Sequence, residues 1–536
     1  MMGTLDYIWL GILAVFQGPE LFSVFGIAVS VTLVMIAFGF LLGVAVGATP
    51  GLAGPIAMAI SLPILISIFG FTPDALLPVM GFLIGVMKGA TIGGAVPAIL
   101  FNTPGTPDAY LTTLDGYPMT KSGNARKALR VAHFSSVTGD TFSDIVLIVC
   151  APFLAIMVES YLDLPEKAAL LILSLSFIAA AVGGSPAKGL ISTGLGLLAA
   201  FIGTGEDFYP RLTFGSPTLQ EGLPLASVIL GVLIVGAVAH ELALYWRARG
   251  TAHLSGTPQK TENQALSFGL IRRIMPYIAR SALVGTAIGA LPGIGSTLAA
   301  TIGYTLGRAR HARTKAPEDP AFGQGAPEGV AATEAANSSV SGANLIPVLS
   351  LGIPGNAAAV FLILAAESIG GFTPGPSVFR FSVDQVNPEL VIAFGLFTCM
   401  FIANFLNWTV GGVIMRSMGV MTRIPKQILL PIVLLLTLTA IYVQETAMIA
   451  VWITLAFGLL GYLMRVSGIS PLPFVIAFIL GERLESTSRQ AFDATGSDPW
   501  FLLNSPIAAI FMALSVVIVV FALRQDRKSR NKASSA

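Results

Sequence analysis

Apolar residues in this chain run together instead of falling singly on one face of a helix. Continuous apolar stretches lie near 22–48, 52–70, 76–100, 131–158, 167–183, 187–204, 223–246, 281–307, 338–366, 388–416, 426–443, 446–464, 468–481 and 505–523. The one-sided stripe of a soluble helix is missing from them. A helix needs about 20 such residues to cross ~30 Å of hydrocarbon. Several runs are too short, or too rich in glycine and proline, to be simple spans. The pattern predicts an all-α polytopic membrane protein with about 12 transmembrane helices plus re-entrant or broken ones.

Composition agrees. Of 536 residues 54% are hydrophobic and 11% charged, against about 25% charged in soluble domains. Mean hydropathy is +0.81. The 57 glycines and 33 prolines fit membrane helices, whose neighbours re-satisfy freed backbone groups. A net charge of +2 gives no reason to expect nucleic acid. Cys150 and Cys399 sit in apolar runs and read as core residues. The four histidines have no ligand spacing, so no metal or cofactor is expected. The N-terminus opens on Asp6 with no basic segment, and no cleavable leader is expected.

Short cytoplasmic loops collect Lys and Arg. Lys121, Arg126, Lys127 and Arg130 mark one such loop; Arg247, Arg249, Lys260, Arg272 and Arg273 a central one; Arg308, Arg310, Arg313 and Lys315 a third. The tail Arg524, Arg527, Lys528, Arg530 and Lys532 places the C-terminus in the cytoplasm. Acidic Glu159–Glu166 and Glu206–Asp207 then fall outside.

The two halves of the chain repeat. Gly43, Gly47, Pro50 and Gly51 recur at one constant offset as Gly285, Gly289, Pro292 and Gly293. Pro97, Pro104 and Gly105 recur at a second constant offset as Pro347, Pro354 and Gly355. The span 131–158 leaves a basic loop, whereas its counterpart 388–416 runs into Arg416. Opposed directions predict two inverted-topology repeats, with a site at their interface. The organisation read here is an N-terminal half 1–246, a cytoplasmic linker 247–280, a C-terminal half 281–500, and a final span with a basic tail over 501–536. Arg280 and Arg308 flank the single stretch 281–307. That stretch is either a hairpin broken at Pro292-Gly293 or a straight span.

Proline ends a helix and glycine admits close approach. Each Pro-Gly pair therefore starts a new half-helix whose free N–H groups and dipole favour an anion. Candidate substrate-binding residues lie beside the breaks: Thr49, Pro50 and Gly51; Asn102, Thr103, Pro104, Gly105 and Thr106; Pro292, Gly293, Gly295, Ser296 and Thr297; Pro354, Gly355 and Asn356. They offer hydroxyls, amides and bare backbone, with no catalytic set. Charges inside apolar runs point to function. Lys88 lies mid-run and either pairs with a carboxylate or snorkels. Asp140 and Asp144, one turn apart, form a cation or proton site or face a polar crevice. Glu328, Glu334 and Asn337 enter the second broken region and read as cavity-lining.

Several of these stretches together closely resemble the large membrane subunit of the tripartite tricarboxylate transporter family, the TctA type. They are Gly47-Ala-Thr-Pro-Gly51; Leu100-Phe-Asn-Thr-Pro-Gly105 with Leu114-Asp-Gly-Tyr-Pro-Met119; Gly289-Ala-Leu-Pro-Gly-Ile-Gly295; Glu328-Gly-Val-Ala-Ala-Thr-Glu334-Ala-Ala-Asn337; and Leu351-Gly-Ile-Pro-Gly355 with Pro374-Gly-Pro376. Thr333 stands where that family often has proline. The resemblance implies a secondary transporter in a bacterial inner membrane, importing a tri-, di- or aromatic carboxylate with Na⁺ or H⁺. It implies two partners, a small TctB-like membrane subunit and a periplasmic TctC-like binding protein. No Gly-x-x-x-x-Gly-Lys-Ser/Thr loop supports ATP use. The other classes open to such a sequence are a passive anion channel, an intramembrane enzyme and a non-transport scaffold. Two inverted halves argue against the channel, and the lack of a convergent acid–base set argues against the enzyme.

Overall fold

The computed structural model describes residues 4–24, 27–49, 53–181, 185–204, 209–213, 215–220, 222–248, 266–292, 295–314, 319–380, 386–417 and 426–534. Pro50, Gly51 and Gly293 lie outside them. In chain order the helices are α1 (Thr4–Phe16), α2 (Val31–Gly47), α3 (Gly54–Phe69), α4 (Pro73–Phe101), α5 (Thr113–Lys121), α6 (Ala125–Tyr161), α7 (Leu164–Ala181), α8 (Pro186–Ala200), α9 (Leu225–Leu230), α10 (Gly236–Ala248) and α11 (Phe268–Gly289). There follow α12 (Ser296–Thr314), α13 (Pro327–Ala343), α14 (Leu345–Leu351), α15 (Ala357–Ile369), α16 (Pro388–Leu406), α17 (Gly412–Ser417), α18 (Lys426–Glu445), α19 (Met448–Val466), α20 (Pro471–Ala494), α21 (Phe501–Asn504) and α22 (Pro506–Ser534). Among the described residues seven helical stretches are long and apolar enough to cross a membrane, and five shorter helices are also apolar. The chain is an all-α polytopic membrane protein.

Two compact units emerge, and they are not the two sequence halves. One contains 1–155, 251–291 and 295–429; the other contains 156–250, 292–294 and 430–536. Each unit therefore draws on both halves.

The first unit is built around α4, of whose most apolar stretch 89% is buried. Buried glycines set how closely its helices approach. A Cβ at Gly43 or Gly47 on α2 would lie 2.3 Å from the carbonyl oxygen of Val86 or Ala90 on α4. A Cβ at Gly285 on α11 would lie 2.3 Å from the Ala336 oxygen on α13, and one at Gly289 would lie 3.0 Å from Val340. Ala336 and Val340 stand at the same offset from Val86 and Ala90 as Pro347 does from Pro97. The sequence repeat is thus a repeat of packing. The helix ends repeat too. Asn102 (φ 54°) and Gly352 (φ 71°) both close their helices in the left-handed conformation. The amides of Thr103 and Ile353 then turn back to Pro97 O and Pro347 O, at 3.2 and 3.1 Å. This is the αL termination that glycine, and sometimes asparagine, supplies.

One run is corrected at its start. The run 22–48 begins as an antiparallel hairpin, Glu20–Val24 with Ile27–Ser30, and helix starts only at Val31. Ser30 caps it by accepting from the Leu33 amide. The run 338–366 is interrupted between Leu351 and Ala357. The runs 223–246 and 388–416 each carry a π-turn, at Gly231–Val235 and Asn407–Gly411. The apolar helix α1 was hidden by its shortness. For 281–307 the structure decides between the two alternatives. Tyr277, in the first half of α11, meets Thr314 and His311 at the end of α12, and Ser281 further along α11 faces Gly303 further back on α12. The two helices therefore run antiparallel, as a hairpin.

In the second unit α20 packs on α7 and α8, α22 packs on α7, and α10 packs on α19. Arg211 grips Glu485 on α20 with two bonds of 2.7 and 3.0 Å, and Arg489 adds a third of 2.9 Å. The Arg211 bonds hold the Glu485 carboxyl below the ordinary range, against the effect of burial. A depressed carboxyl stabilises the fold above its unfolded pKa, about 4.3, and that contribution is lost as pH falls through the folded value. Glu485→Gln is therefore expected to lower the melting temperature at pH 7. The gap from the parent chain should close once both are melted in acid. An equal gap at both pH values would rule out the ion pair as its cause.

Candidate functional site

Lys88 is fully buried in the middle of α4. Its ammonium donates to Asp140 Oδ1 at 2.6 Å and to both oxygens of Asp144 at 2.7 Å. Both aspartates lie on α6, one turn apart, and are themselves buried. The two alternatives for Lys88 thus resolve to pairing. From α16, Asn404 Nδ2 donates to Asp144 Oδ2 at 2.6 Å. From α13, Gly342 comes so close that a Cβ there would lie 2.1 Å from Asp144 Oδ1. Four helices thus meet at one ionic cluster. One ammonium between two carboxylates leaves it one positive charge short of neutrality when all three are ionised. Buried oxygens without a hydrogen-bond partner stand on the same helices: Asn404 Oδ1, Ser338 Oγ and Ser341 Oγ.

Glu334 lies on α13 with no exposed surface. It accepts from Ser136 Oγ on α6 at 2.8 Å and from Thr112 Oγ1. Ser136, Asp140 and Asp144 are four residues apart and so share one face of α6. Asn337 is buried one turn beyond Glu334. Glu328 stands apart from Glu334 and Asn337. In the first turn of α13 it pairs with Arg273.

Each Pro-Gly break precedes a new helical start. The pair at 50–51 is followed by α3, that at 292–293 by α12, and that at 354–355 by α15. Pro104-Gly105 is followed by a single 3₁₀ turn, Pro107–Tyr110. Gly105 packs so tightly that a Cβ would lie 2.2 Å from Gly47 O, which joins the two breaks of the first half. Thr297 Oγ1 donates to Asp108 Oδ1 at 2.7 Å, which links the first break of the second half to the same loop. At the fourth break a Cβ on Gly355 would lie 2.8 Å from Asn344 Oδ1, at the junction of α13 and α14. The helix that follows this break, α15, lies on α3 and α4.

Among the other candidates, Thr49 and Thr103 bond to nearby carbonyls, Ala45 O at 2.9 Å and Phe101 O at 3.2 Å. Thr106 is buried against Gly94. Asn356 caps α15, accepting from the Ala359 amide at 2.9 Å. Asn102 is exposed at its turn, and Pro354 is buried. Ser296 opens α12, with Gly295 just before it and Pro292 in the preceding turn. Lys88 is six residues before Gly94, so the cluster and the Gly105–Thr106 loop are separated by about 9 Å of helix rise.

Sequence reading missed two residues. Asn404 carries a visible signal, an amide inside an apolar run. Asp115 lies in the stretch Leu114–Met119, which gives it no role of its own. Its Oδ1 accepts the amides of Gly323, Gly325 and Ala326 at 2.8, 3.0 and 2.8 Å, and its Oδ2 accepts from Tyr304 at 3.0 Å. Burial pushes this carboxyl up, and these donors oppose the shift.

The family described as "Tripartite tricarboxylate transporter TctA family" matches residues 33–476, which include the Lys88 cluster and all four breaks. The chain belongs to that family. It is 31% identical over 495 residues to a 52.8 kDa uncharacterized protein of the TAR-I ttuC' 3' region of Agrobacterium vitis, covering 92% of this chain and 93% of that protein. A second Agrobacterium vitis protein, from the TAR-II ttuC' 3' region, is 30% identical over 247 residues, covering 46% of this chain and 96% of its own. No solved structure matches. The TctA family is the large membrane subunit of tripartite tricarboxylate transporters.

Proposed function

We propose that this chain imports a small carboxylate across a bacterial inner membrane by symport with Na⁺ or H⁺. It works with a small membrane subunit and a periplasmic binding protein, and its C-terminus faces the cytoplasm. The buried Lys88–Asp140–Asp144 cluster carries the reading. Ionisable groups inside apolar helices are costly, and they mark ion and proton paths. Entry of one cation or proton completes the charge balance. The half-helix starts after the breaks supply N–H groups for the anion. Cation and carboxylate then bind together because each offsets the charge of the other. The two inverted repeats supply the alternating access, with inward- and outward-facing states as mirror arrangements.

Asn102 and Asn356 test the anion half of this reading. Asn102→Gly keeps the left-handed turn, which glycine adopts freely, and removes only the amide. Asn356→Ser keeps a cap for α15. Both variants are expected to insert normally and to lose most carboxylate uptake in proteoliposomes supplied with loaded binding protein. Normal uptake by both removes these asparagines from the site. Uptake that survives collapse of every ion gradient would favour a passive channel instead.

A further inference from the structure

The open end of the α11–α12 hairpin holds a polar pocket that transport leaves unused. Its volume is about 330 Å³, and Arg272, Arg273, Tyr277, Arg310, His311 and Thr314 line it, with Asp319 and Glu328 at one side. Arg273 bonds Asp319 Oδ1 at 2.8 Å and pairs also with Glu328. Three guanidinium groups against two carboxylates leave the pocket positive. Arg310 is held in place, its guanidinium 5.6 Å from the Tyr277 ring centre, and its buried Nε has no hydrogen-bond partner. His311 is fixed behind it by Pro320 O at 3.0 Å and by the Phe322 ring.

A second observation identifies the ligand. Leu298, Ile302 and Leu306 are all exposed on α12. They are four residues apart, and the next step along that face is Arg310. An apolar track on one helix face therefore leads into a positive pocket with an unpaired donor.

We propose that this pocket binds the phosphate of an anionic phospholipid, with an acyl chain along Leu298, Ile302 and Leu306. Arginine forks match phosphate oxygens, and basic pockets between membrane helices on the cytoplasmic side recognise such headgroups. The site is independent of the transport reading, because it needs only a chain embedded in a bilayer.

The test uses the purified full-length chain in detergent. It is titrated with phosphatidylglycerol, with phosphatidylcholine of the same acyl chains, and with inorganic phosphate. Melting temperature and native mass spectrometry are the readouts. Phosphatidylglycerol is expected to raise the melting temperature and to remain bound, and the other two are not. Arg272→Ala/Arg310→Ala should bind it about 30-fold more weakly while keeping its melting temperature in phosphatidylcholine. Ile302→Gln should weaken it as well. Arg272→Ala alone, at an exposed position, carries the same test should the double variant fail to fold. Equal shifts from both lipids overturn the proposal. So does an equal phosphatidylglycerol shift in the parent chain and the arginine variants. A shift from inorganic phosphate as large as that from phosphatidylglycerol would make this a soluble-anion pocket and overturn the lipid assignment.

Discussion

Lys88→Met is expected to abolish uptake. The ammonium of Lys88 makes three bonds of 2.6–2.7 Å to two buried carboxylates. Methionine fills the same volume and supplies none of them. Removing one partner of a buried ion pair costs about 3–5 kcal/mol, because the charge left behind is unsolvated. Asp140 and Asp144 would then take up protons to stay buried. A cluster that holds its protons permanently has nothing to exchange.

The same loss would follow if Lys88 only held the fold together, so the single variant does not decide between the two roles. Lys88→Met/Asp144→Asn does. It removes one charge of each sign, and Asn404 keeps an oxygen to donate to. Folding should recover in part, since Asp140 alone must then take up a proton to stay buried, measured as the monodisperse fraction after solubilisation and as melting temperature. Uptake in proteoliposomes should not recover. Wild-type uptake by the double variant would make the cluster a structural ion pair and would remove the coupling role proposed for it.

The parts of this site that were legible are those written in single residues against an apolar background. A lysine inside a membrane run, two aspartates one turn apart and four Pro-Gly pairs are visible because hydrocarbon forbids them without a reason. The pairing itself was not visible. Lys88 meets Asp140 and Asp144 across 52 and 56 residues, and periodicity within a helix is silent about which faces meet. The repeat was legible as letters and gained physical meaning only from the packing. Gly43 and Gly285 recur because each lets one helix rest on the carbonyl of another. The hairpin at Glu20–Ser30 was hidden because an apolar run reads the same as strand or as helix. The exchange of segments between halves that forms the two compact units follows from tertiary packing, on which sequence order has no direct bearing.

Asp115 shows the limit of residue-pattern reading most plainly, since its partners are main-chain groups. Its Oδ1 gathers the amides of Gly323, Gly325 and Ala326 just before Pro327 opens α13. Helix starts leave such amides orphaned, and here a residue some two hundred positions earlier in the chain takes them. Gly329 lies against the same carboxylate, where a Cβ would come within 2.0 Å of Oδ2. Asp115→Ala would strand the buried amides of Gly325 and Ala326, at about 1–3 kcal/mol for each buried donor. Hydrogen exchange over 323–326 and the first turn of α13 is therefore expected to accelerate sharply, with a large drop in melting temperature. Asp115→Asn keeps an acceptor oxygen and should stay close to the parent chain, because the task is acceptance and not charge. Gly329→Ala should reproduce the alanine phenotype from the opposite side of the contact. α13 also carries Glu334 and Gly342, the latter against Asp144, so loosening its start should slow uptake without touching any ionic group. If Asp115→Ala exchanges at the parent rate, the start of α13 is held by something other than this carboxylate.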